Sequence, residues 1–129
     1  MRREKGFSLI EVLAALLILT LIITMSLAAF VERNKRLRQA SEIILAYQAL
    51  ANEAEYRRRI DFAQLETSKP QFISDTKVLA PLEPFTTVVT VQKTKPAVKN
   101  VTMTVRWNGG TREAALSLMR VDTGGTNLW

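Results

Sequence analysis

The chain has 129 residues, a formal net charge of +6, no histidine and no cysteine. Without imidazole or thiol it lacks the commonest catalytic base and the commonest thiol nucleophile, and no disulfide supports a domain. The length allows one small domain with a modest core once an apolar segment is set aside.

The chain opens with Met1-Arg2-Arg3-Glu4-Lys5-Gly6, passes through Phe7-Ser8-Leu9-Ile10-Glu11, and then runs for twenty uncharged residues from Val12 to Val31. A segment of about twenty residues at about 1.5 Å each crosses a bilayer as one helix. Val12, Leu16, Leu19, Ile23 and Leu27 mark that expected membrane helix. Glu11 stands just inside its start, where a carboxylate is expensive: about 2.5–3.5 kcal/mol at a helix centre and less near an interface.

Three readings compete for this segment. A cleavable signal peptide could use Ser26-Leu27-Ala28 before a cut at Ala29, but such apolar regions usually run only about 7–15 residues. A plain signal anchor would leave Glu11 reaching for headgroups. The third reading rests on the ordered set of basic leader, Gly6, Phe7, Glu11 and apolar helix. This set resembles the N-terminus of type IV prepilins and of the pseudopilins of type II secretion.

The resemblance implies that a prepilin peptidase cuts between Gly6 and Phe7 on the cytoplasmic face and that the new N-terminus, Phe7, is N-methylated. A glycine before the scissile bond lets a protease approach the backbone closely. Glu11 would be the fifth residue of the mature chain, the position that recruits a subunit into the fibre. Physically, a carboxylate one turn from the buried Phe7 amine pairs with that amine or with a neighbour's, and such pairing acts as a register device. Processing would leave 123 residues with a net charge of +4. Family members often carry proline where this chain has Ala28, so the usual kink is not carried over. Charge does not orient the helix, since Arg2, Arg3 and Lys5 are nearly balanced by Arg33, Lys35, Arg36 and Arg38. The resemblance alone places the leader inside and the C-terminal part outside.

No glycine or proline occurs between Phe7 and Lys69, which favours one continuous helix at least to Arg57-Arg58-Arg59. Leu37, Ala40, Ile44, Tyr47, Ala51 and Ala54 recur at helical spacing as a stripe expected beneath a sheet, with Glu42 and Glu53 on other faces. The arginine run reads as a solvated, dipole-compatible helix end. No nucleic-acid role is expected, because no aromatic residues are interleaved with the basic ones.

Residues 60–84, punctuated by Pro70, Pro81 and Pro84, read as a connection that Phe72-Ile73 and Val78-Leu79 tack onto the helix. The period then becomes two. Phe85–Thr94 reads as a strand, and Val101, Met103, Val105 and Trp107 alternate with Thr102, Thr104 and Arg106. Asn108-Gly109-Gly110 signals a turn, and Arg112–Val121 returns antiparallel. This half resembles the small minor pseudopilins of the I type and short minor pilins. The lack of cysteine also tilts away from major pilins, many of which close a C-terminal loop with a disulfide. Asp122-Thr123-Gly124-Gly125-Thr126-Asn127 offers a single carboxylate, poor for calcium, and reads as a tail.

Catalysis finds no foothold: the acids are scattered, Glu113 stands alone beside the turn, and no phosphate loop or metal cluster appears. No cofactor or metal is expected, and the protein is not expected to be an enzyme. The expected fold is α+β and pilin-like, a long N-terminal helix on an antiparallel sheet of about three strands. Its expected divisions are a leader (1–6), an assembly helix (7–31), an amphipathic continuation (32–59) and a connecting region with a β-domain (60–129). The expected role is a minor pseudopilin or minor pilin subunit of a pseudopilus or type IV pilus, serving secretion, adhesion, motility or DNA uptake. Its partners would be prepilin peptidase/methyltransferase, other pilin or pseudopilin subunits, and an inner-membrane assembly platform. It would span the inner membrane with its C-terminal domain in the periplasm. The alternative is a signal-anchored or secreted small β-domain that binds an envelope partner.

Overall fold

The computed structural model describes residues 6–124, so Gly125, Thr126 and Asn127 of the candidate calcium segment lie outside the described residues. One helix, α1 (Leu9–Arg59), is followed by two short 3-10 turns (Phe62–Gln64 and Lys77–Leu82) and three strands: β1 (Phe85–Lys95), β2 (Val98–Trp107) and β3 (Arg112–Val121). The strands form one antiparallel sheet in the order β1-β2-β3. The long helix and three-stranded sheet make this an α+β fold. The chain forms two compact units, one ending at Gln39 and one beginning at Ala40.

The uninterrupted helix follows from the absence of glycine and proline, which leaves every interior position able to donate and to adopt helical angles. The sheet register follows from its turn. Asn108, Gly109 and Gly110 all take positive φ (53°, 66° and 84°), and this brings Trp107 opposite Arg112. Glycine adopts that region without steric cost, and asparagine is among the few other residues that tolerate it. From that anchor Val105 pairs with Ala114 and Met103 with Leu116, so both strands turn their apolar residues to the same side.

The core lies within the second unit. Ala46, Ala49, Leu50 and Ala54 of α1 pack with Val89, Val101, Met103, Val105, Trp107 and Ala114 of the sheet. Leu65, Leu79 and Leu82 from the connection complete the cluster, with Phe62 and Phe72 against it. Phe72 and Val78 are half-buried and Leu79 fully buried, as expected of the tacking residues, whereas Ile73 is exposed. Lys99 is buried on β2, where its Nζ donates to the Phe62 carbonyl at 2.7 Å and sits 4.4 Å from the centre of the Phe62 ring.

The expected helix stripe is corrected. Ile44 is 66% exposed and Tyr47 49%, Ala40 and Ala51 are exposed too, and of that set only Ala54 is buried. The face beneath the sheet instead follows Glu42, Ala46, Ala49-Leu50, Glu53-Ala54 and Arg57. Both faces satisfy three- and four-residue spacing, and the choice turns on ion pairs that hydropathy scores as polar. Glu42 accepts the Trp107 indole N–H at 3.1 Å and a bond from Arg112.

The expected solvated arginine end is likewise corrected at Arg57, whose side chain is fully buried. Its Nε donates to Glu53 at 2.6 Å, and its terminal nitrogens donate to Ser68 Oγ and, at 2.8 Å each, to the carbonyls of Lys69 and Gln71. The other Glu53 oxygen accepts the backbone N–H groups of Ile73 (3.0 Å) and Ser74 (2.9 Å). The pair thus supplies hydrogen bonds to a connection with little regular structure of its own, meeting the rule that buried polar backbone must be satisfied. Arg58 is exposed and pairs with Glu55. From β3, Arg120 donates to the carbonyls of Arg57 and Arg58, which a helix end leaves without intrahelical partners, and to that of Ile60 just beyond the helix. Glu113 is not alone either: it accepts from Arg106 on the neighbouring strand at 2.5 Å.

Candidate functional site

Gly6, Phe7 and Ser8 precede α1 outside regular secondary structure, and all three are exposed. Ser8 begins the helix. Its carbonyl accepts the N–H groups of Glu11 (3.0 Å) and Val12 (3.2 Å), and its hydroxyl accepts Glu11 N–H at 3.3 Å. Ser8 and Glu11 have the Ser-x-x-Glu spacing of a capping box, a local signal that the resemblance-based reading passes over. Glu11 therefore sits in the first helical turn, where the macrodipole favours negative charge. Its side chain is exposed, and among the described residues no cation pairs with it.

Gly6 is unconstrained by its surroundings. A Cβ built on it meets nothing within 4 Å, and its backbone is not left-handed. The fold therefore makes no demand for glycine at this position. The three glycines at positive φ, Gly109, Gly110 and Gly124, contrast with it.

Val12, Leu16, Leu19, Ile23 and Leu27 are all exposed and, at three- and four-residue spacing, share one face of α1. The rest of the apolar segment is exposed as well, and the helix is long and apolar enough to cross a membrane. Its polar side chains are partly satisfied within the helix. Thr20 Oγ1 donates to the Leu16 carbonyl at 2.8 Å, and Thr24 Oγ1 donates to those of Thr20 (3.0 Å) and Leu21 (2.9 Å). Such back-bonding removes the cost that a free hydroxyl would incur in hydrocarbon.

Further along, Ala40, Ile44, Tyr47 and Ala51 form a second exposed apolar face, on the part of α1 that belongs to the second unit. Among the described residues no cluster of three or more potential metal-binding acids occurs. Toward the sequence's end, Asp122 Oδ1 accepts the N–H of Gly124 at 3.0 Å, and the Asp122 N–H donates to the Ala97 carbonyl at 2.8 Å.

The structure thus places Gly6, Phe7 and Glu11 together at an exposed helix start and lines Val12, Leu16, Leu19, Ile23 and Leu27 along the same helix. Residues 1–27 match the family described as the prokaryotic N-terminal methylation motif. That motif is the processing signal of type IV pilins and pseudopilins and supports a pilin-like, membrane-anchored structural subunit. No curated protein and no solved structure shows a significant match to the chain.

Proposed function

We propose that the chain is a minor pseudopilin or minor pilin: a structural subunit inserted in the inner membrane, cut between Gly6 and Phe7, methylated on Phe7 and packed by its apolar helix into a fibre. The observation that carries this reading is a glycine the fold does not need, followed at once by a capped apolar helix inside a matched methylation motif. A residue type without an internal reason points to an external one, and close approach by a peptidase supplies it.

In this reading the leader stays cytoplasmic and the β-domain is periplasmic. Glu11 pairs with the Phe7 amine of a neighbouring subunit during assembly on an inner-membrane platform. The fibre is a pseudopilus for protein secretion or a pilus for adhesion, motility or DNA uptake. The protein acts as the substrate of the peptidase/methyltransferase and has no catalytic role of its own.

Intact-mass and N-terminal analysis after co-expression with a prepilin peptidase tests the proposal. The expected product begins at N-methylated Phe7, and Gly6→Ala abolishes it while leaving the β-domain folded. A mature chain beginning at Ala29, or an uncut chain in both backgrounds, overturns the reading.

A further inference from the structure

Immediately beyond the uncharged span, four cations fall within six residues: Arg33, Lys35, Arg36 and Arg38, all exposed. At about 100° per residue they lie at roughly 0°, 200°, 300° and 140° around the helix, so no gap between neighbours exceeds about 140°. They form a collar and not a face. Arg36 pairs with Glu32 at 3.1 Å, an exposed pair worth little. Among the described residues, Arg33, Lys35 and Arg38 have no carboxylate partner.

The collar begins two residues after Val31. A helix that holds Val12–Val31 in hydrocarbon therefore brings all four cations to the headgroup layer, and their long stems reach outward to it. Three of the four are arginines, whose planar fork binds phosphate oxygens in pairs. A single protein partner would cover one side of the helix. A lipid annulus offers phosphates all the way round, which is the arrangement the cations match.

We propose that this collar binds the phosphates of anionic phospholipids at the membrane face opposite the leader, holding the helix at a fixed depth until the subunit is taken into a fibre. The proposal rests on the membrane-inserted reading above. It also gives the second basic flank a role other than orientation.

The test uses the full-length protein in detergent doped with equal phosphatidylglycerol and phosphatidylcholine, with retained lipids counted by native mass spectrometry. Because Arg2, Arg3 and Lys5 also attract anionic lipid, the comparison is made in a background carrying Arg2→Gln, Arg3→Gln and Lys5→Gln. One cation near an anionic surface contributes on the order of fivefold, so three unpaired ones should give at least about a tenfold preference for phosphatidylglycerol. Replacing all four collar residues with glutamine should bring that preference close to unity. The charge-preserving set Arg33→Lys, Arg36→Lys and Arg38→Lys should keep most of it, which separates loss of charge from loss of fold. An unchanged preference in the glutamine variant overturns the proposal. So does displacement of the lipid by excess inorganic phosphate, which would mark a general anion site. Processing at Gly6-Phe7 is read separately in the native-leader protein, so failure of the subunit reading is distinguishable from failure of the collar.

Discussion

Arg57 donates to Glu53 at 2.6 Å across one turn of α1, and neither side chain is exposed to solvent. Burying two charges costs several kcal/mol per ion, and their mutual attraction offsets this only when the remaining polar atoms are also satisfied. Here they are. Ser68 and the carbonyls of Lys69 and Gln71 complete the guanidinium, and the N–H groups of Ile73 and Ser74 complete the carboxylate. The pair acts as the attachment point for the connection between helix and sheet.

Arg57→Ala should therefore destabilise the second unit by about 3–5 kcal/mol, because it strands a buried carboxylate. Against a typical total of about 5–15 kcal/mol this approaches complete loss of the fold. Chemical denaturation of the full-length protein in detergent, followed by tryptophan fluorescence, measures it. Replacing both partners, Glu53→Leu with Arg57→Met, should recover only part of the loss. The backbone groups of residues 69, 71, 73 and 74 would still lack their side-chain partners, and any of them kept from water costs about 1–3 kcal/mol. Full recovery would show that the loop does not depend on the pair.

Glu42 makes a milder version of the same link, tying α1 to both ends of the β2–β3 turn through Trp107 and Arg112. It is partly exposed, so screening limits its contribution. Glu42→Ala should cost about 1–2 kcal/mol and shift Trp107 emission as the indole loses its acceptor. Glu42→Gln should retain the indole bond and much of that stability. Equal losses in the two variants would place the effect on the Arg112 charge pair.

These two acids show which parts of the fold were legible in the sequence. The strands, their antiparallel return and the uninterrupted helix were readable because period-two alternation, Asn108-Gly109-Gly110 and the lack of helix breakers are local signals. Which side of α1 meets the sheet was not readable. The buried side carries Glu42, Glu53 and Arg57, while the exposed side carries Ile44 and Tyr47, so hydropathy ranks them in reverse. Glu53 and Arg57 do sit at the spacing of a helical ion pair, but that spacing is common on solvated helices and says nothing about burial. At the N-terminus the motif singles out Gly6, Phe7 and Glu11, and the structure adds that all three are exposed at the helix start. Ser8 was missed, although its spacing to Glu11 is a sequence-level cap signal.

Ser8 allows the helix-start position of Glu11 to be separated from its proposed pairing role. Ser8→Ala removes a cap worth about 0.5–2 kcal/mol and should fray the first turn of α1. Glu11→Ala removes a first-turn charge worth about 0.3–1 kcal/mol, and in the proposed fibre it also removes the intersubunit partner of the Phe7 amine. Both variants should be cut normally at Gly6-Phe7, and only Glu11→Ala should block fibre assembly. If Ser8→Ala blocks assembly equally, capping of the helix start accounts for both and the pairing role is lost. Immunoblots of sheared fibres and of membrane fractions give the two readouts.

Ile44 and Tyr47 supply the last test, because their exposure has no counterpart in the core of the second unit. An apolar helix face left uncovered in an isolated subunit is the kind of surface that marks an interaction site. Ile44→Glu replaces an exposed side chain with a good helix former, so stability should change by no more than about 0.5 kcal/mol. Assembly should nevertheless fail, since a carboxylate would then be carried into a subunit contact without a partner. Ala46→Glu, two residues further along the same helix, should show the opposite order of events. That position is fully buried against the sheet, so the unit should unfold before assembly can be scored. Thermal denaturation and fibre yield measured on both variants separate the outward face from the inward one. Normal fibres from Ile44→Glu would leave the exposed face without a role in assembly.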